Sequence, residues 1–265
     1  MPEFELRPRG PYSLALTARL ASDATRTFRD GLLTAALDGE LVRAWQRPDG
    51  AVAVQARTDE VVPRLRFVLA LDDDHTEFLR RFAGDELLCE PIRKLRGLRA
   101  LRTPTVAGAV LRALCGQLIQ SGRARRLEQT IVRATSAQHG DLFEPATRAT
   151  LGARSPAQLR ALGLHARRGA TLVRLCESLD LERLRSHPVE SASARLLRER
   201  GLVGDLGLVK LMSALRGRWV EPGETAELLE PYSEWAGLAS VYLLAGFGRG
   251  LIPLPTGRRP LRRAA

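Results

Sequence analysis

The sequence predicts a mixed protein, an amino-terminal α/β sheet domain followed by an all-α bundle, on three observations. Short alternating segments and a turn signal fill the first 100 residues, apolar spacing at three and four runs on from residue 104, and short loops separate the later helical stretches. The predicted division is 1–102 for the sheet domain, 103–252 for the helical domain and 253–265 for a basic, disordered tail rich in Pro, Gly and Arg.

Within the first domain, residues 3–7 and 12–18 alternate as strands do. Val42 to Trp45 and Ala51 to Ala56 flank Pro48-Asp49-Gly50, which predicts a hairpin. Asp23 to Leu37 and Asp74 to Phe82 carry helical spacing. In the second domain, Val106, Val110, Leu111, Leu114 and Leu118 share one helical face, as do Leu127, Ile131 and Val132 after the basic run Arg123, Arg125, Arg126. Ser155-Pro156-Ala157-Gln158 is a helix start, with Ser155 as cap, Pro156 at the first position and Gln158 three on; Gly163 ends that helix. Further helices are expected at 166–179, 188–200, 206–216, 223–230 and 232–246.

A chain of 265 residues with 45% hydrophobic side chains can bury a sizeable core. No apolar run approaches the ~20 residues of a membrane-spanning helix, and the start MPEFELRPRG has no secretion-signal segment, so the expected setting is intracellular, cytoplasmic and near the nucleoid, with no membrane partner. Cys89, Cys115 and Cys176 are isolated among apolar residues and read as reduced core thiols. His75, His139, His165 and His187 lack metal-ligand spacing, and no metal or other cofactor is expected.

The net charge of +11 is one-sided. Residues 1–100 hold 16 basic and 16 acidic side chains, whereas 101–265 hold 25 basic and 14 acidic. A field of that sign attracts a polyanion, and counterion release would make the binding salt-dependent. The alternative is a compositional bias toward Arg, since only Lys94 and Lys210 are lysines.

Thr103-Pro104-Thr105-Val106 leading to Cys115-Gly116-Gln117-Leu118-Ile119 resembles the opening helix of the helix-hairpin-helix DNA glycosylases, in particular the alkylation-repair (3-methyladenine) branch. Ala161-Leu162-Gly163-Leu164 with the basic, small-residue stretch Ala166-Arg167-Arg168-Gly169-Ala170 resembles a later segment of that family. Gly204-Asp205-Leu206-Gly207-Leu208 looks like its strip bearing the catalytic aspartate, and Tyr232 to Leu244, with Trp235, looks like its closing helix. The resemblance covers roughly residues 103–250. One departure stands out. The family places a helix, a Gly-hydrophobic-Gly hairpin and a second helix before the aspartate, but here Arg195 to Gly201 pass straight to Leu202-Val203-Gly204-Asp205. Either the second helix is missing, or Gly201-Leu202-Val203-Gly204 is itself the hairpin.

The resemblance implies excision of alkylated purines from damaged duplex DNA by base flipping, with no partner subunit. Breaking the N-glycosidic bond builds positive charge on the sugar, so an ionised carboxylate is needed near C1′, and Asp205 is the candidate. A carboxylate at a helix start is also a good cap without any catalysis. Gln117, Tyr232 and Trp235 are candidate base contacts, with Trp219 and Tyr242 as further aromatics; each could equally be a core residue. Arg123, Arg125, Arg126, Gly201, Gly204 and Lys210 are candidate contacts to the DNA backbone, the arginines otherwise forming a solvated helix face. The family's lyases carry a lysine in the hairpin; none lies there, so a monofunctional enzyme is expected. The competing possibility is an inactive DNA-binding protein on the same scaffold.

Overall fold

A computed structural model describes residues 1–19, 21, 23–117, 119–186 and 206–255. The amino-terminal part is built on one antiparallel sheet, from β1 (Glu3–Leu6), β2 (Arg26–Arg29), β3 (Leu32–Leu37), β4 (Glu40–Gln46) and β5 (Val52–Gln55), in the order β1-β5-β4-β3-β2. The expected hairpin around Pro48-Asp49-Gly50 joins β4 to β5, with Gly50 at φ +87°.

Two local expectations are corrected. Residues 23–37 form a β2–β3 hairpin and no helix, because Asp30 (φ +49°) and Gly31 (φ +80°) make a two-residue turn that matches strand twist. Asp38 (φ +51°) and Gly39 (φ +83°) repeat the device between β3 and β4. Residues 14–18, expected as strand, form helix α1 (Leu14–Ala18), capped by Ser13 Oγ, which accepts from the Leu16 amide at 3.2 Å.

One sheet face, carrying Leu33, Ala35, Leu37, Val42, Ala44, Val52 and Val54, packs on α1 and on α2 (Val62–Val68). Helices α3 (Thr76–Arg81) and α4 (Cys89–Lys94) bury their apolar side elsewhere. Phe78, Leu88, Ile92 and Leu95 share a core with Leu211, Tyr232, Tyr242 and Leu243 from the far end of the chain.

The remaining elements are mainly helical: α5 (Val106–Gly116), α6 (Ser121–Thr135), a small hairpin of β6 (Gln138–His139) and β7 (Leu142–Phe143), α7 (Arg148–Gly152), α8 (Pro156–Ala161), α9 (Ala166–Ser178), a 3-10 turn (Leu181–Ser186), α10 (Leu206–Arg216), α11 (Thr225–Leu229) and α12 (Ala236–Phe247). Helix α8 has the expected capping box, with Ser155 Oγ accepting from the Gln158 amide and Gln158 Oε1 from the Ser155 amide, and it ends at Gly163 with φ +101°. The expected helix at 188–200 and most of the tail lie outside the described residues. None of the described helices is long and apolar enough to cross a membrane.

Candidate nucleic-acid interface and active site

Helix α5 sits at the centre of the helical part. Thr105 Oγ1 accepts from the Gly108 amide, while Glu182 accepts from the first-turn amides of Val106 and Ala107 at 2.9 and 3.2 Å. A carboxylate there complements the positive end of the helix dipole. The other end stops at Gly116, so Gln117, expected inside the helix, is its C-cap with ψ 113°. Its carbonyl accepts a 2.6 Å hydrogen bond from Arg168 Nη2 of α9, which ties down the loop between α5 and α6.

The next helix, α6, presents two chemically different sides. Glu128, Ile131 and Val132 face inward, and Glu128 accepts from Arg112 Nε of α5 at 3.0 Å. Arg123, Arg125, Arg126 and Arg133 are exposed and form no ion pair with a described residue. Arg160 and Arg167, on α8 and at the start of α9, are in the same condition. The turn between those helices meets α6 directly, since a Cβ on Gly163 would stand 3.3 Å from Leu127 Cδ1. In the first part of the chain, by contrast, Arg7, Arg47, Arg64 and Arg66 are neutralised by carboxylates. The α6 to α9 side thus carries one group of exposed arginines without an ion pair to a described residue, and Arg29 and Arg43 of the sheet are a second.

The aromatic candidates sit elsewhere. Tyr232 is buried with its ring 5.3 Å from Phe82, and its hydroxyl donates to Asp85 Oδ1 at 3.3 Å. Burial, reinforced by the Asp85 charge, pushes its ionisation far above the usual tyrosine range. Trp235 is half-buried, with its ring 5.9 Å from Phe78. Tyr242 is buried, donates to the Leu98 carbonyl at 3.2 Å and is pushed up to about 12 by burial. All three join the carboxy-terminal helices to α3 and α4. Trp219 packs beside Val209, Met212 and Val220.

Asp205, Gly201 and Gly204 lie outside the described residues. Helix α10 begins at Leu206, the residue after Asp205, and Lys210 is exposed one turn into it. Gln117 thus lies on the loop that leads into α6, whereas Tyr232 and Trp235 belong to the core shared with α3 and α4. Arg168 and Glu182, which hold the two ends of α5, carry no sequence signal, lying 51 and 76 residues from the groups they bind.

No family model matches the sequence, and no curated protein matches it. Solved structures do match, over nearly the whole chain. A 3-methyladenine DNA-glycosylase from Archaeoglobus fulgidus superposes with a TM-score of 0.77 at 18% identity, covering 93% of this chain and 98% of that one. MBOgg1 in complex with a low-affinity DNA ligand gives 0.75 at 12% identity over 94% and 96%. An 8-oxoguanine glycosylase/lyase from Clostridium acetobutylicum, bound to double-stranded DNA, gives 0.73 at 13% identity over 94% and 99%. The chain has the fold of these DNA glycosylases, an amino-terminal antiparallel sheet joined to a helical domain.

Proposed function

We propose that the chain is a monofunctional DNA glycosylase of base excision repair that removes alkylated purines, 3-methyladenine among them, from duplex DNA. The observation that carries this is the end-to-end fold match to a 3-methyladenine DNA-glycosylase. The exposed arginines of α6, without an ion pair to a described residue, fit a duplex phosphate backbone, and Arg123, Arg125 and Arg126 are assigned to it.

An alkylated purine is already cationic and leaves readily, so the main task is to draw the nucleotide out of the stack. The glycosidic electron pair departs with the base, water adds to C1′, and Asp205 balances the charge that develops on the sugar before taking the proton from water. In the sequence Asp205 is the residue before α10, and a carboxylate at a helix start is the kind of group that amides and dipole would keep ionised. Gln117 is assigned to base binding, from the loop that Arg168 fastens. Lys210 is assigned to phosphate. With no other lysine after residue 94, the chain offers no hairpin amine for a Schiff base. The protein acts as a monomer in the cytoplasm, without a cofactor.

One observation favours a second possibility. In the sequence no residue lies between Gly204 and Asp205, where the family has its second hairpin helix, so either that helix is missing or Gly201 to Gly204 is itself the hairpin. A protein that keeps the DNA-binding face but has lost hydrolysis would look the same. Matched duplexes carrying 3-methyladenine or 8-oxoguanine separate the two. Free 3-methyladenine with an unbroken sugar-phosphate strand supports a monofunctional alkylpurine enzyme; binding of both duplexes with release from neither supports the second possibility.

A further inference from the structure

The sheet face turned away from α1 and α2 carries a row of side chains set by the strand register. Arg29 pairs with Leu32, Leu32 with Trp45, and Trp45 with Ala53; the next row runs Thr27, Thr34, Arg43, Gln55 and Glu3. Trp45 is partly exposed, whereas Arg29, Arg43 and Leu32 are exposed. With strands ~4.8 Å apart and ~3.4 Å of rise per residue, Arg43 stands about 7 Å and Arg29 about 10 Å from Trp45, backbone to backbone.

Charge divides this face into two halves. On the β1 edge, Glu3 and Glu5 are neutralised by Arg47, and Glu5 also by Arg7 at 2.8 Å. On the β2 to β4 side, Arg29 and Arg43 form no ion pair with a described residue; Asp30 in the β2–β3 turn follows Arg29, and Glu3, already bonded to Arg47, is two strands from Arg43 in its row. At the far end the face is closed by the β6–β7 hairpin, whose Gly140 stands against Leu41. What remains is a partly exposed indole with one exposed guanidinium two residues along its own strand and a second two strands away beyond Leu32.

We propose that this half of the sheet, through Trp45, Arg43 and Arg29, binds single-stranded nucleic acid, with a base stacked on the indole and the flanking phosphates held by the arginines. The chemistry of the row selects that partner. One indole and one leucine are too little apolar surface for a protein interface, which needs a desolvated core. A duplex keeps its bases stacked and offers Trp45 nothing to stack on. A single strand offers both π faces and negative charge. The surface is separate from the α6 arginines assigned to duplex DNA, so it stands whether or not the chain is a glycosylase.

The test uses the full chain at low salt, with labelled oligothymidylate, labelled oligouridylate and an undamaged duplex. Trp45→Ala and the pair Arg29→Gln/Arg43→Gln should each weaken single-strand binding about tenfold, the order of one lost stacking or charge contact, while duplex affinity stays within about twofold. Trp45→Phe should retain most of the single-strand affinity, and binding should quench tryptophan fluorescence in the parent but less in Trp45→Phe. Preference between the two oligomers then tells DNA from RNA. Unchanged single-strand affinity in the folded Trp45→Ala and arginine variants overturns the proposal. Equal binding of heparin, a polyanion without bases, also overturns it.

Discussion

Arg112 Nη2 of α5 lies 3.0 Å from Asp23 Oδ2 of the amino-terminal part, and the same oxygen accepts from Arg26 Nε at 3.2 Å. Arg112 also bonds Glu128 of α6, so one carboxylate fastens the sheet to the two helices that carry the arginine face. Arg26 is 3% exposed and Asp23 9%, so this is a desolvated cluster. Removing the central carboxylate strands a buried guanidinium, a change that costs about 3 kcal/mol. Asp23→Ala should lower urea stability by that order. Arg112→Gln, whose side chain is more than a third exposed, should lower it by about 1 kcal/mol.

The α6 arginines should be felt in salt dependence. Each phosphate contact releases counterions, worth a slope of about 0.9 in log K against log salt. Replacing Arg123, Arg125 and Arg126 together by Gln should flatten the slope for duplex binding by about 2 to 3 and leave thermal stability unchanged. An unaltered slope would remove these residues from the interface.

Acid stability should depend on Glu224, which ties down the end of α10. A hydrogen bond from Arg218, with the Glu221 amide and Arg216 adding to it, holds Glu224 near 2 against an ordinary 4.5. A depressed carboxylate contributes stability that is complete above its unfolded value and lost as pH falls through the folded one. The stability difference between the parent and Glu224→Gln should therefore be constant from pH 5 to 8 and shrink between about 4.5 and 2. Urea melts across that range measure it.

Thiol labelling should distinguish the three cysteines. Burial pushes Cys115 up to about 12 and Cys176 up to about 11, whereas Cys89 is partly exposed. The thiolate is the reactive form. At pH 8 the native protein should take one label, at Cys89, and two more on unfolding, as read by mass spectrometry.

The elements legible in the sequence are those fixed by local chemistry. Ser155, Pro156, Gln158 and Gly163 specify α8 within nine residues, and Pro48-Asp49-Gly50 specifies the β4–β5 turn. Residues 23–37 misled because Phe28, Leu32, Leu33 and Ala36 fit a helical period as well as a pleat. The Asp30-Gly31 pair was the stronger signal, since its positive φ angles suit a hairpin. Residues 14–18 misled for the opposite reason, their short alternation outweighing the Ser13 cap.

Site residues were less legible, because they depend on which face meets which. The basic run at 123–126 announced itself, and the structure shows it exposed. Nothing in the spacing shows that Tyr232 would be buried against Phe82, about 150 residues earlier, or that Arg168 would bond the Gln117 carbonyl just past α5.

The central claim rests on Asp205, and methylated duplex DNA tests it most directly. Free 3-methyladenine released per mole of protein is measured for the parent and for Asp205→Asn, beside the affinity of each for the same duplex. The account predicts release by the parent, a loss of at least a hundredfold in the variant, and binding by both within a few-fold, because the carboxylate acts on the developing charge and not on the phosphates. Equal release by the two proteins, or binding by the parent with no release at any salt concentration, would contradict it.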